Sequence, residues 1–295
     1  MKRLATYGFS VIALGLAIAS CGGGDTEKQH IDKELLDPNS SLNTNFDGKI
    51  FSIPSPMQTA LLLREVNAKF NEKYLNPLDN QSKYSTEMKK ALNLGVYGTD
   101  LGYLAIFKQN TLSLKYLAAM EKITSDLGLE GAFDKNFMSR FEKNSTNEDS
   151  MMVIVSDAFK KSDNFLKSND RKAVSALILV GGWVESMYIA TEINKEKNDQ
   201  RVVARIGEQQ QTLNTIIDIL NQYNKDGVNK DLIDSMSKLR AEFDKIMVKY
   251  DFVQPKTDAA NRVTTLQHKT TVTIDPAVVS AITEQIAAIR SSIIA

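Results

Sequence analysis

ALNLGVYGTDLGYLAIF, residues 91–107, holds one charge in 17 positions, Asp100, and AVSALILVGGWVESMYIAT, residues 173–191, holds one in 19, Glu185. Each is apolar nearly all round when wound at the helical period. A helix of that kind must be buried on every side rather than laid on a surface. Both lengths approach that of a membrane span. A carboxylate at mid-bilayer costs about 3 kcal/mol, however, and each stretch carries one near its middle. The two are therefore expected to be the central helices of an all-α, multi-helix antiparallel bundle.

The flanking sequence supplies the rest of that bundle. Ser55-Pro56 places a cap before a proline at the first helical position and opens a helix expected to run to about Tyr74, where Asn76-Pro77 ends it. Ser85 is the expected cap of the helix reaching Phe107. A helix over 111–127 shows Tyr116, Met120, Ile123 and Leu127 on one stripe and stops at Gly128. Further helices are expected from Asp134 to about Lys143, over 148–167 and over 171–195. Val202, Ile206, Gln209, Leu213, Ile216, Leu220 and Tyr223 form one seam, and Leu232, Met236, Leu239, Phe243, Ile246 and Tyr250 another. Asp275-Pro276 opens the last helix, with Ile282, Ile286, Ile289 and Ile293 facing inward. Only 49–53 and 264–274, rich in Thr, Val and Ile, read as strands, expected to pair with each other at the base of the bundle.

The two central stretches align at an offset of 85 residues, matching Asp100 with Glu185 and Tyr103-Leu104-Ala105 with Tyr188-Ile189-Ala190. The match is either an internal duplication of a helical hairpin unit or chance. Gly95, Gly98 and Gly102 lie at i, i+3 and i+7, on one helix face. Each costs about 1 kcal/mol relative to Ala. Close packing of a neighbouring helix on this strip is the expected compensation, with a ligand lying there as the rival. A phosphate loop is excluded, because no strand precedes the glycines and no Lys-Ser/Thr follows.

A carboxylate amid such apolar surroundings is either paired or raised in pKa. One reading pairs Asp100 and Glu185 with Lys or Arg from neighbouring helices, or with tyrosine hydroxyls. The other brings both into one internal pocket ringed by Tyr97, Tyr103, Trp183 and Tyr188, suited to a cationic or hydroxyl-rich small ligand or to acid–base hydrolysis. The sequence designates no catalytic residue, cofactor or metal. There are two histidines, His30 and His268, and no nucleophile elbow.

Lys2 and Arg3 precede an apolar run, Leu4–Ile18, that ends in Ile18-Ala19-Ser20-Cys21 and Gly22-Gly23-Gly24. Its length suits a signal peptide. The ending resembles the lipobox of bacterial lipoproteins: an aliphatic residue, two small residues, then cysteine. That resemblance implies a diacylglyceryl (palmitate-type) group on Cys21, cleavage before it, and acylation of the new amino terminus. Several chains anchor firmly where one holds weakly. Gly22 rather than Asp after the cysteine leans toward the outer membrane. The expected organisation is a cleaved signal peptide at 1–20, a lipidated flexible tether at 21–48 and a single helical domain at 49–295.

Cys21 is the single cysteine, so no internal disulfide can form. The 36 basic and 36 acidic residues become 34 and 36 once Lys2 and Arg3 leave with the leader. That balance gives no electrostatic case for nucleic acid or for an anionic membrane surface. FSIPSPMQTALLL, ALNLGVYGTDLGY and LILVGGWVESMY, between Phe51 and about Asn221, resemble an uncharacterised family of Bacteroidetes-type helical lipoproteins, for which no activity is implied. The expected function is that of an envelope lipoprotein, bilayer-bound through Cys21, that binds or scaffolds envelope proteins or a small ligand. A receptor or enzyme centred on Asp100 and Glu185 is the alternative.

Overall fold

The computed structural model describes residues 41–46, 49–54, 62–63, 65–129, 135–144, 147–168, 170–224, 226–260, 262–265 and 269–295. The leader, Cys21, His30 and His268 lie outside them. Nine α-helices occur among the described residues: α1 Glu87–Ile106, α2 Asn110–Asp126, α3 Lys135–Lys143, α4 Glu148–Ser168, α5 Lys172–Lys197, α6 Gln200–Gly207, α7 Gln210–Gln222, α8 Lys230–Phe243 and α9 Pro276–Ile294. The strands are β1 Ser41–Phe46, β2 Lys49–Pro54, β3 Met247–Asp251, β4 Lys256–Asp258, β5 Val263–Thr265 and β6 Lys269–Thr273, in three antiparallel pairs. The architecture is thus a multi-helix, mostly all-α fold.

Local chemistry sets the helix ends. The Thr86 hydroxyl accepts from the Lys89 N–H and caps α1, one residue later than Ser85. The Asp275 carboxylate accepts from the Ala277 N–H at 2.8 Å, with Pro276 at the first helical position of α9. At the end of α2, Gly128 takes a φ of +66°, and the N–H groups of Gly128 and Leu129 return to the carbonyls of Ser125 and Thr124. A left-handed residue followed by these two bonds is the Schellman stop.

α1 and α5 form the centre, flanked by α2, α4, α6, α7 and α9. Their contacts advance together, from Leu92 against Gly181 to Asp100 beside Glu185, so this pair runs in the same direction inside the bundle. Two glycines make the crossing. A Cβ on Gly95 would stand 1.9 Å from the Ile178 carbonyl oxygen, and one on Gly181 would stand 1.9 Å from that of Leu92. No side chain fits where two backbones touch. The Thr99 hydroxyl donates to the Gly182 carbonyl at 3.1 Å across the same seam. The glycine strip is therefore a packing device at Gly95. Gly98 is buried in α1, but at Gly102 no described atom stands within 4 Å of a built Cβ, so close approach does not explain that glycine. α5 and α9 are each long and apolar enough to cross a membrane, yet here they pack against each other.

Four expectations are corrected. The helix expected to reach Tyr74 ends near Glu65; Asn67 turns left-handed (φ 48°), and Tyr74 sits in a 3-10 turn, Glu72–Tyr74, capped by Asn71. The seam from Val202 to Tyr223 is two helices, broken at Glu208-Gln209. Tyr250, expected on the seam of α8, lies in β3 and is 57% exposed. The two strand-like stretches do not pair with each other: β2 pairs with β1, and β6 with β3. β1 also takes up residues 41–46, read as the end of the tether.

Candidate functional site

Asp100 and Glu185 are fully buried and within hydrogen-bonding reach of each other across the α1–α5 seam. Burying two carboxylates together is prohibitive unless charge is supplied or a proton is kept. The structure uses both. Arg290 of α9 supplies the charge: its Nε donates to Glu185 Oε2 and its Nη2 to Oε1, both at 2.7 Å. Nη2 also donates to the Tyr74 carbonyl at 2.8 Å, and the guanidinium lies 4.0 Å from the ring centre of Tyr188.

The surroundings of Asp100 favour keeping the proton on its carboxyl. Its Oδ2 accepts from the Asn76 N–H at 3.0 Å, while Oδ1 meets no N–H or O–H donor among the described residues. Two carboxylates in contact have only acceptors to offer, so one must carry a hydrogen. Burial, then the Glu185 charge, hold the Asp100 carboxyl well above the usual carboxylate range. Burial also pushes Glu185 up, but the bidentate bond from Arg290 opposes it there. The assignment that follows is a neutral Asp100 acid donating to an ionised Glu185 that is matched by Arg290⁺. With that assignment the cluster carries no net charge.

Beneath it, the Asn76-Pro77 segment enters the core with its polar groups matched. The Asn76 side-chain amide donates to Tyr84 Oη at 2.9 Å and Asn93 Oδ1 at 3.1 Å, and Asn80 donates to its carbonyl oxygen at 2.9 Å. Tyr116 donates to the Asn76 backbone carbonyl at 2.8 Å and Tyr97 to that of Pro77 at 3.1 Å. Asn93 in turn donates to the Ile293 carbonyl at 2.9 Å, tying the end of α9 to α1. Burial raises Tyr84, Tyr97, Tyr103 and Tyr116, with Tyr103 pushed up to about 12, so their hydroxyls stay neutral; Tyr97 and Tyr116 donate, whereas Tyr84 and Tyr103 accept.

The predicted site residues are thus brought together only in part. Asp100, Glu185 and Tyr188 share the cluster with Arg290. Tyr97 stacks edge-on with Tyr116 at 5.7 Å and serves the Asn76-Pro77 segment. Tyr103 packs with Phe70, Tyr74 and Phe107, its hydroxyl accepting from the Asn71 N–H at 3.0 Å. Trp183 is turned to α7's leading edge, its Nε1 donating to Gln209 at 3.3 Å. The polar atoms of Tyr97, Tyr103 and Trp183 thus bond to Pro77, Asn71 and Gln209 rather than to the acids. Sequence reading missed Arg290 and Asn76. A lone arginine beside Ile282, Ile286, Ile289 and Ile293 on an inward stripe was the signal for the first; nothing in the sequence marked the second, which read as a helix stop. Chemically the cluster can hold a proton and fasten three elements, α1, α5 and α9, to the Asn71–Pro77 segment. No protein-family model, curated protein or solved structure matches this chain.

Proposed function

We propose that the chain is a lipid-anchored envelope protein whose helical domain serves as a non-enzymatic binding or scaffolding module, held through acylated Cys21 at an outer membrane. The observation that carries the reading is the leader, whose apolar run closes on Ile18-Ala19-Ser20-Cys21 with the single cysteine of the chain at the acceptor position. The resemblance of the mature sequence to helical lipoproteins of the Bacteroidetes type supports the same address. The Asp100–Glu185 pair supports a structural role more than a catalytic one. A reacting carboxylate needs a path to substrate, whereas both of these are fully buried and both oxygens of Glu185 are bonded to Arg290.

Mass spectrometry of the amino-terminal peptide from the membrane fraction tests the anchor. A diacylglyceryl adduct on Cys21 and cleavage before it are expected, and an unmodified thiol defeats the reading. For the role of the pair, Asp100→Ala and Glu185→Ala are both expected to lower the melting temperature. Intact stability in both, with loss of binding of a ligand, would instead place a receptor site there.

A further inference from the structure

Eight large apolar side chains are left exposed among the described residues, and six of them lie between residues 247 and 263: Met247, Val248, Tyr250, Phe252, Val253 and Val263. They belong to one arm. β3 and β6 pair from Met247 opposite Thr273 to Asp251 opposite Lys269, and β4 and β5 continue the two chains outward, from Lys256 opposite Thr265 to Asp258 opposite Val263. The arm is rooted at α6, where a Cβ on Gly207 would meet Val272 at 2.5 Å and Ile274 at 2.7 Å. Val248 lies opposite Val272 and Tyr250 two residues on, so the apolar row begins on the core and runs off it into solvent. Phe252, at 70% exposure, and Val253 follow in the link to β4.

Charge separates the arm from the body. Residues 247–273 carry Lys249, Lys256, Arg262 and Lys269 against Asp251 and Asp258. The remaining mature chain then holds 30 basic against 34 acidic residues. A basic, aromatic-bearing appendage on an acidic body matches a bilayer interface. Tyr and Phe bodies sit at headgroup depth there, and basic side chains meet anionic lipid. Ser41 lies twenty positions after Cys21, a reach of at most about 70 Å. Such a spacer confines the domain to the bilayer's neighbourhood, so even a weak second contact is made at high effective concentration.

We propose that the arm formed by β3, β4, β5 and β6 is a second membrane contact, placing Tyr250, Phe252 and Val253 in the interface of a bilayer with anionic headgroups; this rests on the anchor reading. The probe is Phe252→Trp in the processed, lipidated protein, reconstituted into vesicles of equimolar phosphatidylcholine and phosphatidylglycerol. Trp183 is buried, and wild type supplies its background. The introduced indole is expected to shift to shorter wavelength and to be quenched by acyl-brominated lipid, and the triple change Lys249→Glu, Lys256→Glu, Arg262→Glu to abolish both effects. An unshifted, unquenched indole with Cys21 acylated overturns the arm alone. A shift without lipid quenching that grows with protein density assigns the arm to a second copy and likewise overturns the proposal. Should Cys21 carry no acyl chains, the anchor reading falls, and the same quenching is measured on vesicles mixed with the free protein, where its absence overturns the arm as well.

Discussion

The α1–α5 crossing and the β3–β6 arm meet opposite problems in opposite ways. At the crossing, polar groups are forced into a dry interior, and the chain answers them itself: Arg290 for Glu185, a retained proton for Asp100, the Asn76 side chain for Tyr84 and Asn93. Glycine at 95 and 181 removes the side chains that would hold the backbones apart. On the arm, apolar groups are pushed into water, and Phe252 and Met247 remain 70% and 68% exposed. The first region is complete within one chain. The second leaves large apolar side chains exposed among the described residues, and an isolated two-stranded ribbon is at best marginally stable. The contrast separates residues kept for folding from those kept for contact, and substitutions in each can test it.

The largest effect is expected at Arg290. Arg290→Met strands an ionised Glu185 and the Tyr74 carbonyl in the core, and removing one member of a buried pair costs about 3–5 kcal/mol. Denaturant unfolding followed by circular dichroism measures this. The double change Arg290→Met, Glu185→Leu is expected to recover much of the loss, since an apolar pair of similar volume has no charge to solvate. A loss under 1 kcal/mol for Arg290→Met alone would mean that water reaches the cluster.

Next comes the crossing itself. In Gly181→Ala the new methyl would meet the Leu92 carbonyl, a backbone group that cannot swing away, so the helices must part. Overpacking of this kind costs about 1–3 kcal/mol, and the upper end is expected here. Gly102→Ala is the control on the same helix. With no described atom within 4 Å of its Cβ, it should gain up to about 1 kcal/mol from helix propensity. Equal losses at both positions would remove the crossing's special status.

A smaller effect, with a sign, is expected from the retained proton. Asp100 has its carboxyl raised in the folded state, so folding takes up a proton at pH values between the unfolded and folded pKa. Its contribution is fully present below about pH 4, the unfolded value, and declines as pH rises toward the folded one. Asp100→Asn keeps the shape, offers an N–H to Glu185 and an oxygen to the Asn76 N–H, and does not titrate. The variant should therefore gain stability relative to wild type as pH is raised from 4 to 8. A relative gain toward acid instead would show that Asp100 is ionised in the native protein.

These same residues mark how far the sequence could be read. The stripes of α2, α8 and α9 were legible because burial repeats at the helical period: Tyr116, Met120, Ile123, Leu232, Met236, Ile282 and Ile286 are all buried as spaced. The two central helices were legible for want of any polar face. What failed was non-local. Ile246 to Tyr250 continues the α8 spacing, but Met247–Asp251 finds a strand partner in Lys269–Thr273, and pairing overrides periodicity. The seam from Val202 breaks because Gly207 must admit Val272 and Ile274 and because Gln209 turns inward to Trp183. Asp100 and Glu185 were found from their own helices. Their proximity was one open reading and a cationic partner another; the structure contains both, with Arg290 arriving from 105 residues away. Asn76 was read as punctuation because its hydrogen bonds reach Tyr84, Asn93, Asp100 and Tyr116, partners visible only once the chain is folded.

The smallest expected effect is the sharpest check on the contrast. Phe252→Ser with Val253→Ser removes two large apolar side chains, a change that costs several kcal/mol in a core. On the arm the two residues are 70% and 43% exposed, and substitutions at such positions fall within about 0.5 kcal/mol of wild type. The midpoint of denaturant unfolding is therefore expected to stay in place. Its slope should hold as well, because little apolar area is withdrawn from water at either residue on folding. A loss above about 1 kcal/mol would show that the arm folds back onto the body in solution. Phe252 would then be a core residue, and the exposure that distinguishes the arm from the crossing would vanish.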